Sequence, residues 1–153
     1  MVPPRQLRSR KTLDTLATAA EKLLRDKPFE QISIAEICNE AGVTTGAFYA
    51  RFGSKDALMP LIYARYRDWL LAAAPGRFEA VPWEKLSLQQ AGLRIAHLLI
   101  ELYRERPWLL RAVTLFSRAR SDVWSSNSPA ASSVILAGIR RALAPHVSED
   151  ADA

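Results

Sequence analysis

The stretch that most restricts what this chain can fold into runs from Ser33 to Asp56, SIAEICNEAGVTTGAFYARFGSKD. Ser33 and Glu36 have the S-x-x-E spacing of a capping box, in which serine accepts from the backbone three residues on and glutamate reaches back. A helix is therefore predicted to begin at Ile34. Gly42 stands where that helix must stop, because glycine takes the left-handed conformation of a tight turn at little cost. Thr44 or Thr45 can cap a second short helix, and Ser54 a third. Phe48 and Phe52 lie four residues apart and so share one face, while Tyr49 and Arg51 point elsewhere. Two short helices, a glycine turn and a polar outer face on the second describe a helix-turn-helix.

The rest of the chain supplies what such a motif needs to fold. Helices this short are stable only when packed together. Upstream, Leu13, Leu16, Ala17, Ala20, Leu23 and Leu24 recur at helical spacing, which predicts an amphipathic helix from Ser9 or Arg10 until Pro28 ends it. Residues 1–8 read as a mobile lead, and Arg5, Arg8, Arg10 and Lys11 as a basic arm that is either a solvated terminus or lies along a phosphate backbone. The core of the motif is predicted to be Ile34, Ile37, Cys38, Ala41, Val43, Phe48 and Phe52. Downstream, helices are predicted over 54–71, 83–106, 107–121 and 129–144, with loops at 75–82 and 125–128. Pro60 implies a kink near 56–60 or a main helix that starts near Met59. The run 83–106 is apolar nearly all round, as in the centre of a bundle. The fold class is all-α: a three-helix helix-turn-helix domain (1–54), then a helical bundle (55–153) joined through the 55–71 helix.

Composition narrows the function. The 153 residues are 49% hydrophobic and carry a formal net charge of +5. Residues 1–67 hold 11 Lys/Arg against 7 Asp/Glu, so most of the basic excess lies on the half with the motif. A basic surface suits nucleic acid or an anionic membrane, or is merely solvated. No stretch approaches the roughly 20 apolar residues of a membrane span. Cys38 is the only cysteine, so no internal disulfide can form, which fits a cytoplasmic setting. There is no Gly-rich phosphate loop, no G-x-S-x-G and no H-E-x-x-H. His97 and His146 lie on separate segments, without a ligand-spaced partner. No metal, no cofactor and no catalytic set is expected.

The run Val43–Leu58, VTTGAFYARFGSKDAL, with the preceding SIAEICNEAG, resembles the TetR family of bacterial transcriptional regulators. The family pattern G-V-(S/T)-x-G-x-(hydrophobic)-Y-x-(H/R)-F-x-(S/N)-K-(E/D)-x-L is met at nearly every constrained position, and the likeness covers residues 9–70. It implies that Thr44, Thr45, Gly46 and Ala47 begin the recognition helix that enters the major groove. Phe48 and Phe52 would form its core side. Tyr49 would hydrogen-bond a phosphate and Lys55 pair with another. Ala50 occupies a position often used for base or backbone contact, and Arg51 stands where histidine is common. The first motif helix, from Ser33, and Thr12 would add backbone contacts.

The resemblance further implies a repressor that binds a near-palindromic double-stranded DNA operator as a homodimer. A small-molecule effector would occupy a pocket in the C-terminal bundle, with His97, Tyr103, Trp108 and Phe116 as candidate lining residues; core packing is the alternative reading of each. Family members continue with two further helices that build the dimer interface, so a chain ending at 153 is expected to be shortened or to pair through another surface. Two other readings stay open. One is a non-specific, architectural DNA-binding protein; the other is a ligand-binding bundle with a vestigial motif.

Overall fold

A computed structural model describes residues 4–119 and 129–147, and side chains from residue 11 to 119 and from 133 to 147. Among the described residues there are seven α-helices and no strand: α1 (Pro4–Leu24), α2 (Ile34–Ala41), α3 (Thr45–Tyr49), α4 (Met59–Glu79), α5 (Leu88–Glu105), α6 (Pro107–Ala119) and α7 (Pro129–Leu143). Single 3-10 turns occupy Phe29–Gln31, Asp56–Leu58, Trp83–Lys85 and Ala144–His146. No described helix is long and apolar enough to cross a membrane.

The chain divides into two compact units. The first holds the chain as far as Arg65, together with α6 from Trp108 on. Its core is the α1 stripe Leu16, Ala17, Ala20 and Leu24, packed with Phe29, Ile32, Ile37, Cys38, Phe48 and Phe52, all buried. The recruitment of α6 has a visible cause. Phe116 meets Phe29 edge to face at 6.3 Å, and the Arg25 guanidinium lies 4.7 Å over the Trp108 ring. Arg65 on α4 pairs with both Asp14 and Glu21 of α1. The first unit thus extends past residue 54 to Arg65 and takes in α6 from far along the chain.

The second unit holds the chain from Tyr66 to Pro107 together with α7. The sequence predicts a loop over 75–82, yet α4 runs through Pro75 to Glu79. Proline removes one helical hydrogen bond. The continued helix buries Ala74 and Phe78, and Phe78 stacks on Trp83 at 6.1 Å while its carbonyl accepts from Trp83 Nε1 at 2.7 Å. Burial of two aromatic rings outweighs that loss. Gly138 of α7 lies so close to Phe78 that a Cβ there would stand 2.6 Å from the ring. Small residues, Gly138 and Ala142, let α7 approach.

Other expectations change as well. α1 starts at Pro4 rather than at Ser9, since proline fits a first turn whose N–H would be unsatisfied anyway. The side chains of Arg5, Arg8 and Arg10 lie outside the described ones, as do the 125–128 loop, Ser128 and residues 148–153. Ser54 does not cap. A 3-10 turn precedes α4, which begins at Met59, the second of the two alternatives for Pro60, so no kink is needed. α5 starts at Leu88, behind a Ser87–Gln90 capping box that the hydrophobic pattern concealed. It is not a central helix: Ala91, Leu98 and Leu102 are buried, whereas Leu93, Ile100 and Tyr103 are exposed.

Candidate nucleic-acid interface

The geometry of the motif follows from its caps. Ser33 Oγ accepts from the Glu36 amide at 3.2 Å, and Glu36 Oε2 accepts from the Ser33 amide at 2.8 Å and from the Ser33 hydroxyl at 2.9 Å. α2 then runs eight residues to Gly42, whose φ of 65° is the only positive value among the described residues. The Val43 amide donates to the Cys38 carbonyl at 2.9 Å, closing the left-handed turn. Thr44 Oγ1 accepts from the Ala47 amide at 3.1 Å, and the five-residue α3 begins there.

α3 has a sharp division of faces. Phe48 is fully buried, and Phe52, just beyond the helix, is 8% exposed. Their rings pack at 5.1 Å, which fixes α3 against the core. Thr44, Thr45, Gly46, Tyr49, Ala50 and Arg51 face solvent, with Ala47 partly covered. Tyr49 is 57% exposed, and its ring is braced edge-on by Phe48 at 5.7 Å, so the phenol stands out from a fixed base. Arg51 turns back: one guanidinium nitrogen donates to the Ala47 carbonyl at 2.9 Å, covering the C-terminal end of α3. That exposed bond leaves the guanidinium within reach of solvent.

Two of the expected residues serve the fold in the free protein. Ser33 is committed to its capping box. Lys55 makes contacts of longer range. Its ammonium does not project outward; it donates to the carbonyls of Phe29 at 2.9 Å, Glu30 at 3.1 Å and Ile32 at 2.9 Å. It also lies 4.9 Å over the Phe29 ring. Three acceptors use all three N–H donors of a lysine. The sequence marks the residue through its family position, but a contact 23 to 26 positions away leaves no local trace.

Charges around the motif come in pairs. Lys27 and Glu36 are 2.5 Å apart, and Lys22 and Glu40 2.6 Å apart, joining the end of α1 to α2. The Lys27 bond, helped by the Ser33 amide and hydroxyl, holds the Glu36 carboxyl down to about 2. Burial pushes the Cys38 thiol up. Among the described residues no group of His, Cys, Asp and Glu could hold a metal ion.

The four candidate pocket residues are divided between the two units. His97 and Tyr103 are exposed on α5 of the second unit. Trp108 and Phe116 belong to the first unit, under Arg25 and against Phe29. Within the second unit, a shallow cleft of about 280 Å³ lies between α4 and α7, lined by Pro75, Phe78, Val134, Ala137 and Gly138, with Glu79 and Arg141 contributing charge.

Residues 16–62 match the sequence profile of the bacterial regulatory proteins of the tetR family. Over 104 residues the chain is 29% identical to the uncharacterized HTH-type transcriptional regulator YwcC of Bacillus subtilis (strain 168), a similarity covering 67% of this chain and 47% of that protein. The chain spans about half the length of the curated relative it matches.

Proposed function

We propose that this chain, whose N-terminal helix-turn-helix domain is that of a tetR-family regulator, binds double-stranded DNA and controls transcription through α3. One observation carries the proposal. The helix is pinned on its inner side by Phe48 and Phe52, while Thr44, Thr45, Gly46, Tyr49, Ala50 and Arg51 are left to solvent. A rigid helix with a free outer face is what a major groove accepts. Thr45 and Arg51 are the side chains on this face able to read base edges, Arg51 by releasing the Ala47 carbonyl. Tyr49, exposed on a ring braced by Phe48, would meet a phosphate, and Gly46 and Ala47 would allow the backbone to come close.

In this reading the chain works as a homodimer on a near-palindromic operator. A small effector would repress or release binding by favouring one spacing of the two recognition helices, which must stand roughly 34–36 Å apart. The α4–α7 cleft, with apolar walls and Arg141 among its lining residues, would receive such a molecule. Nothing in the proposal requires catalysis.

The test is selection of bound fragments from random-sequence DNA by the intact chain. The expected outcome is a recovered sequence with a two-fold repeat. Recovery of fragments with no common sequence would replace the regulator by a non-specific binder, a reading that the small side chains at Gly46, Ala47 and Ala50 favour. Its signature is affinity that resides in phosphate contacts and falls steeply with salt. No retained DNA at low salt would remove both.

A further inference from the structure

We infer that Lys55 is a positioning residue for the recognition helix, acting as an internal clamp rather than as a phosphate ligand. The inference rests on the DNA-binding reading only for its consequence; the clamp itself belongs to the protein alone.

Lys55 stands five residues beyond the end of α3's neighbour Ala50, directly before the 3-10 turn at Asp56. The three carbonyls it binds belong to the 3-10 turn Phe29–Gln31 and to Ile32, the residue before the Ser33 cap of α2. One ammonium thus ties the chain entering α2 to the chain leaving α3. Both helices of the motif are short, eight and five residues, and neither is stable without tertiary support. The Gly42 turn joins them at one end, and Lys55 closes the loop at the other. The clamp has a firm floor. Phe29, under the ammonium at 4.9 Å, is 3% exposed and is held from beyond by Phe116. Lys55 itself is half-buried, and Phe52 and Leu58 on either side are buried.

The alternative for a lysine at this position is a phosphate contact, and the two roles differ in what they require. A phosphate accepts arginine at least as well as lysine. Three carbonyls converging on one point suit a tetrahedral ammonium, and a planar guanidinium cannot aim three donors at them. A phosphate contact also adds about 0.9 to the slope of log affinity against log salt, whereas a clamp adds nothing.

The experiment uses the full chain as Lys55→Met and Lys55→Arg, with two readouts. Without DNA, amide exchange is followed over residues 29–37 and 45–52. With a duplex selected by the unchanged protein, affinity is measured over a range of salt. The clamp predicts faster exchange in both variants, affinity lower by about tenfold in both, as expected when hydrogen bonds to a charged group are lost, and an unchanged salt slope. Retained affinity in Lys55→Arg, with a slope shallower by about 0.9 in Lys55→Met, would overturn the clamp in favour of a phosphate contact. If the unchanged protein binds no DNA, the regulatory reading fails, and exchange decides the clamp by itself: faster exchange in Lys55→Met supports it, and unchanged protection overturns it.

Discussion

Glu36 and Cys38 lie two residues apart on α2 and relate to solvent in opposite ways. Glu36 keeps a partly exposed carboxylate whose proton affinity is lowered, first by Lys27, then by the Ser33 amide and hydroxyl. A carboxyl held at about 2 in the folded chain, against an ordinary value of 4.5, adds stability that is complete above the ordinary value. That contribution is lost as pH falls from 4.5 towards about 2. Glu36→Gln should therefore flatten the acid limb of a plot of Tm against pH in that window, and lower Tm at neutral pH; an unaltered acid limb would show that the capping box carries no such linkage. Cys38 is 2% exposed, and its thiol is pushed up by burial. Only the thiolate reacts. Native protein should resist an alkylating reagent for as long as it stays folded, and should react promptly in denaturant, as mass spectrometry would record. Rapid labelling of native protein would mean that α2 opens readily.

Among the elements, α7 depends most on one residue. Its approach to α4 is possible because Gly138 has no Cβ to meet Phe78, whose ring is 1% exposed and held by Trp83. A Cβ 2.6 Å from the ring forces the ring or α7 to shift, so Gly138→Ala should destabilise the chain by about 1–3 kcal/mol, as overpacking does. Gly92 offers the contrast within α5, where a Cβ would meet nothing within 4 Å. Gly92→Ala should stabilise by about 0.5–1 kcal/mol through helix propensity alone. Thermal denaturation of the two variants checks both signs; equal effects would mean that propensity, and not the Phe78 contact, governs α7. Pro75 teaches the same lesson. Proline and glycine together read as a stop, and the helix continued because Phe78 had a place to be buried.

At the scale of the whole molecule, the first unit is assembled from segments far apart in the chain. Phe116 is 5% exposed and supports Phe29, which in turn lies beneath the Lys55 ammonium. Phe116→Ala should cost about 3–5 kcal/mol, the usual loss for a buried phenylalanine. Amide exchange should place that loss in the helix-turn-helix domain, around residues 29–37, although the substitution lies in α6. A loss confined to α5 and α7 would refute this assignment of α6. A piece ending at Arg65 should accordingly be less stable than the same residues within the intact chain.

Much of the motif was legible before any coordinates, and the reason is range. The Ser33–Glu36 box, the left-handed Gly42, a threonine cap (at Thr44, of the two threonines open to it) and the shared face of Phe48 and Phe52 are contacts between residues three to five apart, so their spacing encodes them. The family pattern is a register of the same local constraints. What tertiary structure alone decided lies at longer range. Lys55 chose carbonyls more than twenty residues away; α4 passed through Pro75 because Trp83 waited for Phe78; α5 turned Leu93 and Ile100 outward, so an all-round apolar pattern did not make it central; and α6 joined the N-terminal unit through Phe29. Hydrophobic burial is non-directional, so a sequence shows which side chains need cover but not which surface provides it.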